Sequence, residues 1–170
     1  EAQSEMYTAK NASTTHLIGY WRMDEGYGNM AEDIAQGHHL ILPNEHAWYL
    51  SDENIAAQLN GQTAMLMNIS TISPTEEDDY LLELWVNPAA QNGDAVLLSN
   101  GLGFELGVNA QGNLSLKTTQ RTLTHALTLN VWHHVAIIHR HSGSTILYLD
   151  GNEVFQVSNQ SMPELAADHL

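Results

Sequence analysis

The chain has no cysteine in its 170 residues. A disulfide framework and thiol chemistry are therefore excluded. Secreted animal modules of this size often carry disulfides, so the absence favours a bacterial source. Basic residues are scarce: five Lys plus Arg stand against twenty Asp plus Glu, a formal net charge of −15. Such a field repels nucleic acid and anionic membranes and suits cations. Charge of either sign is thin, at 15% of residues. The polar surface is built instead from Asn, Gln, Ser and Thr, as on extracellular β-domains. No apolar run approaches the ~20 residues that span a bilayer, so membrane insertion is not expected. No signal-peptide pattern opens the chain and Glu1 is not methionine, so a mature or excised segment is expected. Tandem repeats, low-complexity tracts and long helical periodicity are also missing. So are a phosphate loop, a nucleophile elbow and a Ser-His-Asp order.

What remains is a pattern of many short strands. The length fits one domain, with residues 1–16 as a polar leader or linker and 17–170 as the domain. Strands are expected at Leu17–Met23, Ala56–Leu59, Ala64–Met67, Ala95–Ser99, Gly103–Val108, Asn113–Lys117 and Trp132–His139. Tyr80–Val86 is the clearest of all: Leu82, Leu84 and Val86 lie on one face and Leu81 and Trp85 on the other, with Glu83 interrupting. A strand apolar on both faces is expected to be covered on both. Asn60-Gly61 and Asp150-Gly151 are hairpin signals, the second joining Ser144–Leu149 to Glu153–Val157. Short strands with Gly, Asn and Asp turns at regular spacing indicate an all-β sandwich.

Several residue types invite chemistry. Trp48 and Tyr49 fall in an expected loop over 43–54, where amphipathic rings suit stacking on a sugar or filling a core edge. Trp21, Trp85 and Trp132 lie in or beside expected strands and read as core. His133, His139 and His141 share a face if their strand runs straight, and His139 with His141 would then chelate a transition metal. The acidic run Glu76-Glu77-Asp78-Asp79 reads as a charged loop. A retaining glycosidase needs two carboxyls about 5–5.5 Å apart, and Glu83 stands alone in its strand, so no catalysis is expected in this chain. Sequons begin at Asn11, Asn68, Asn113 and Asn159, at a frequency that a chain rich in Asn, Ser and Thr reaches by chance.

In order along the chain, Gly19-Tyr-Trp-Arg-Met-Asp-Glu-Gly26, Ala31-Glu-Asp33 with Gly37, Leu59-Asn-Gly61, Leu82-Glu-Leu-Trp-Val-Asn-Pro88, Gly103-Phe-Glu-Leu-Gly107, Trp132-His-His-Val-Ala136 and Leu147-Tyr-Leu-Asp-Gly151 are each similar to segments of laminin-G-like jelly-roll domains. On these the chain resembles the laminin-G-like, concanavalin A-like lectin/glucanase family. The resemblance implies an all-β, two-sheet antiparallel jelly-roll sandwich. It implies a structural calcium near Asp33, with Asp24 close in sequence, since calcium takes several oxygen ligands. Relatives usually end in a further strand with an Ile-Asp-Glu-like segment, which is not found before Leu170. An open edge is therefore expected, for strand pairing with another chain or segment. By fold analogy the resemblance implies a non-catalytic carbohydrate-binding or adhesion module of a larger secreted or cell-surface protein, with a glycan or an extracellular protein as partner. Two other readings stand beside it: a structural or protein-interaction module without a sugar site, and an accessory domain of a polysaccharide-degrading enzyme.

Overall fold

The computed structural model describes residues 17–42, 47–50, 54–58, 79–90, 93–99, 104–118 and 120–158. The chain divides into two compact units, residues 1–72 and 73–170, a division its composition does not mark. Every regular element among the described residues is a strand, and every pairing is antiparallel.

The first unit holds two small ribbons. β1 (Met30–Ala31) pairs with β2 (Leu40–Ile41), and β3 (Ala47–Leu50) pairs with β4 (Ile55–Gln58). The expected strand over Leu17–Met23 is irregular chain instead, held by a single bridge from Trp21 to Asp33. Conversely, the expected loop over 43–54 contains β3. The alternation that would announce a strand is lost there, because Trp48, Tyr49 and Leu50 are all apolar or aromatic.

The second unit is a sandwich. One sheet runs β12 (Asn152–Val157), β11 (Ser144–Leu149), β10 (His133–Arg140), β5 (Tyr80–Val86). The other runs β6 (Ala95–Ser99), β7 (Glu105–Val108), β8 (Asn113–Lys117), β9 (Thr122–Ala126). Successive side chains on a strand point to opposite faces, so the inward residues follow from the sequence pattern. Leu114 and Leu116 of β8 and Leu106 of β7 meet Val135 and Ile137 of β10 and Leu147 and Leu149 of β11, with Phe104 among them. Each such side chain contributes about 1.5–3 kcal/mol on leaving water.

The turns match their chemistry. Asp150 and Gly151 both take positive φ, 51° and 78°, the two-residue turn whose twist suits a hairpin. Gly107 is required for a different reason. A Cβ there would lie 2.4 Å from the Ala95 carbonyl oxygen, at a register shift between β6 and β7.

Two expectations fail in this unit. β5 stands at the end of the described sheet order, and Leu81 on its outer face is 56% exposed, so that face is not fully covered. β9 was not foreseen, because Leu123 is its one large apolar residue and four of its five side chains are exposed. Its place comes from backbone pairing with β8. The expected hairpin at Asn60-Gly61, the strand at Ala64–Met67 and the acidic residues before Asp79 lie outside the described residues.

Leu147→Ala is expected to cost about 2–5 kcal/mol, the range for opening a cavity in a packed core. Thr124→Ala on the exposed β9 should stay within about 0.5 kcal/mol. Urea unfolding of both variants checks the contrast.

Candidate functional site

Asp33 is 3% exposed and is the centre of its segment. One carboxylate oxygen accepts from the Tyr20 and Ala35 amides at 2.7 and 2.9 Å. The other accepts from the Gln36 and His38 amides at 3.1 and 2.9 Å. Around it the Ile34 amide donates to the Tyr20 carbonyl, the Trp21 indole donates to the His38 carbonyl at 2.7 Å, and the Asp33 amide donates to His39 Nδ1. Gly19 belongs to the same knot, since a Cβ there would strike the Trp21 ring. Burial pushes the Asp33 carboxyl up, but the four amides outweigh burial and hold it below the ordinary value of 3.8.

This arrangement does not fit a calcium ion. A carboxylate offers about four lone-pair sites, and four amides take all of them on Asp33. Asp24 is ion-paired with Arg22. Among the described residues no three His, Asp or Glu side chains come together as a metal group. Asp33 therefore acts as the organiser of its loop.

Trp48 and Tyr49 do not form one platform. They are consecutive on β3 and project to opposite faces of the β3–β4 ribbon. Trp48 is half-buried and its indole donates to the Gly28 carbonyl at 3.0 Å. Leu50 and Ile55, opposite each other in register, come near the Gly26 backbone on the Trp48 face. Tyr49 is 47% exposed. The sequence reading missed Tyr27, which is 80% exposed between Gly26 and Gly28, both at positive φ. Its signal was present as an aromatic flanked by two glycines. Of the eleven large hydrophobic side chains exposed among the described residues, eight belong to the first unit.

Among the described residues the histidines do not gather as a metal group either. His139 is buried in β10, with Nδ1 3.0 Å from the Thr145 hydroxyl and its ring against Tyr80. Burial pushes the Tyr80 phenol up to about 12. β10 ends at Arg140, so His141 lies in the turn and turns away to Asp79. Asp79 also accepts from the His141 amide and from Arg140, and these bonds hold its carboxyl well below the ordinary value. His133 Nδ1 is 2.7 Å from Asp150 Oδ2, which has the look of an oriented catalytic imidazole. Its Nε2, however, is spent on the Thr128 carbonyl at 2.9 Å. The pair instead pins the Asp150-Gly151 turn to the start of β10, helped by the His134 amide on Asp150 Oδ1. Trp21, Trp85 and Trp132 are half-buried rather than core. An indole is large and seldom buries completely, and on the outer face of β5 the Trp85 ring packs against His134.

The second unit is thus a two-sheet antiparallel sandwich, and the first unit exposes Tyr49 on β3 and Tyr27 in a turn. The chain belongs to the concanavalin A-like lectin/glucanases superfamily, whose family model matches residues 59–169. Similar solved structures agree on the fold. The binding domain of Paraclostridial Mosquitocidal Protein 1 aligns at a TM-score of 0.63 and 15% identity, over 78% of this chain and 38% of that one. The binding domain of botulinum neurotoxin DC, solved with rat synaptotagmin II, aligns at 0.52 and 11% identity, over 85% and 40%. Botulinum neurotoxin type C, whose cell entry depends on interaction with two ganglioside molecules, aligns at 0.51 and 10% identity, over 89% and 40%. The chain thus spans about two-fifths of the length of these neighbours. No curated protein sequence matches it significantly.

Asp33→Asn replaces an accepting oxygen with an NH2 facing amide donors, and each buried donor so stranded costs about 1–3 kcal/mol. Hydrogen exchange at the Tyr20, Ala35, Gln36 and His38 amides should quicken in the variant. Because the folded carboxyl titrates below 3.8, its contribution is present above the unfolded value. It is lost as pH falls through the lower folded value. In the parent protein the same amides should lose protection on acidification below about pH 4, and the variant should lack that dependence.

Proposed function

We propose that this chain is a non-catalytic carbohydrate-binding or adhesion module of a larger secreted or surface protein. The observation that carries the reading is the concentration of exposed apolar and aromatic side chains among the described residues of the first unit. Where such groups stand side by side, as Leu50 and Ile55 do across the ribbon, an uncovered surface marks a contact site. Tyr49 and Tyr27 each offer a ring face for the apolar side of a sugar and a hydroxyl for its polar side. Trp48 supports the site by anchoring β3 to the Gly28 turn. Among the structural neighbours, one binding domain is in a complex with a protein and one toxin depends on interaction with gangliosides for cell entry, which lends the reading support by analogy.

A second reading has its own observation. Leu50 and Ile55 form an exposed aliphatic pair across the ribbon, 62% and 40% exposed. Two branched aliphatic chains suit a protein partner better than a glycan, and a docking module would use them.

A glycan array with the purified chain tests both readings, run with calcium and with a chelator. Binding is expected without calcium, and Tyr49→Ala should weaken it about ten-fold or more, as the loss of a central aromatic contact does. Trp48→Ala should weaken binding and also loosen the ribbon, visible as faster amide exchange in β3 and β4. A folded chain that binds no glycan under either condition overturns the carbohydrate reading and favours the protein partner. Binding that requires calcium overturns the assignment of Asp33 as a loop organiser alone.

A further inference from the structure

We infer that the outer face of the β12–β11–β10–β5 sheet docks a basic amphipathic helix of a partner protein. The inference concerns the second unit and is independent of the glycan reading of the ribbon. It starts from β5, whose sequence is apolar on both faces. Leu84 and Val86 of its inner face join the core, whereas Leu81 on its outer face is 56% exposed. A sheet face of that composition is stable when another layer covers it. Register shows what the outer face displays. Leu81, Ile138 and Ile146 lie directly opposite one another on β5, β10 and β11. Their side chains therefore form one aliphatic row across three strands, about 10 Å long at the ordinary strand spacing. Two residues further along, about 7 Å away, Ala136 stands between Glu83 on β5 and Tyr148 on β11, and Glu153 on β12 follows Tyr148. Ala136 is 7% exposed and is the short side chain of its row, which leaves a trough between Glu83 and Tyr148. Beyond it stand Trp85 and His134, their rings 5.1 Å apart.

The chemistry of these rows selects the partner. Glu83 has His134 as its ion-pair partner, at 3.5 Å, rather than a Lys or Arg. Glu153 is exposed and has no ion pair among the described residues. Arg140 is the one Lys or Arg of these four strands, and Asp79 holds it at 3.1 Å. The aliphatic row is thus bordered by carboxylates with no fixed cation to meet them. A cationic side chain laid along the Ala136 trough would meet Glu83 and come beside the Trp85 and Tyr148 rings, whose faces attract cations. A surface that carries apolar side chains flanked by Lys or Arg satisfies both rows at once. One helix supplies it, with an apolar stripe at i, i+3, i+4 and bases along its border. Trp and Tyr are also the anchors on which protein interfaces depend. A second copy of this chain is the poorer occupant. It would bring the same acidic face and a further charge of −15, with no Lys or Arg free to pair with Glu83 and Glu153. The same charge opposes an anionic membrane.

The test is a titration of the full chain, labelled with ¹⁵N and with ¹³C at its methyl groups, with a synthetic amphipathic helix of leucine and lysine. Two control peptides keep the pattern, one with glutamate for lysine and one with serine for leucine. The leucine–lysine peptide is expected to shift the Leu81, Ile138 and Ile146 methyl resonances and the Ala136 amide, and both controls to leave them unmoved. Leu81→Glu should weaken that binding about ten-fold or more. Glu83→Lys keeps the aliphatic row and serves if the first variant fails to fold. It should weaken the lysine peptide and strengthen the glutamate peptide. Equal shifts with the serine–lysine peptide, or shifts spread over other surfaces, would report charge alone and overturn the docking face. A soluble nitroxide should broaden the Leu81 methyl resonances of the free chain. Protection from it would show that another segment of this chain covers the face, and shifts there with protein concentration alone would show a second copy. Either result overturns the partner protein. No shift at this face with the leucine–lysine peptide overturns the surface, whatever the glycan array shows for the ribbon.

Discussion

Everything in the second unit depends on the two sheets burying their alternate side chains against each other. Val135 and Ile137 from one sheet and Leu114 and Leu116 from the other are almost wholly removed from water. That burial fixes register, because a slip of one residue would carry every one of these side chains to the solvent face. Fixed register in turn decides what the outside of each sheet displays. Ser115 and Lys117 face solvent because Leu114 and Leu116 cannot. Polar residues that satisfy the ends of the strands complete the frame: Asp79 ties the start of β5 to the turn after β10, and Asp150 with His133 ties the β11–β12 turn to the start of β10.

The first unit is organised differently. Among its described residues there is little sheet, and the segment over 17–42 closes around one buried carboxylate. A charge at that depth is tolerable only if it is fully hydrogen-bonded, and Asp33 meets the condition with backbone amides drawn from residues 20 to 38. The same satisfaction that makes it a good organiser makes it a poor cation ligand. The expectation of calcium came from family resemblance and residue type, and residue type does not reveal how many donors a folded loop will aim at a carboxylate.

The sandwich was legible wherever side chains alternate cleanly. β8, β10 and the β11–β12 hairpin could be read from Leu-Ser-Leu, from His-His-Val-Ala-Ile-Ile and from Asp150-Gly151. Legibility failed where tertiary context overrode local pattern. β9 carries almost no apolar signal and exists through its hydrogen bonds to β8. Leu17–Met23 has the composition of a strand, yet the described segment is held by the Asp33 knot and by the Trp21 ring over Gly19. Trp48 and Tyr49 read as a loop from the sequence, which hides the fact that a strand sets them back to back. Tyr27 was passed over because exposure is a property of the fold rather than of the residue.

That back-to-back placement separates two roles within two consecutive positions. Residue 48 is half-buried and donates to the Gly28 carbonyl, whereas residue 49, on the opposite face, is 47% exposed. On the proposed reading, specificity would drift at position 49 through a single codon change while position 48 stays held by its bond to the Gly28 carbonyl.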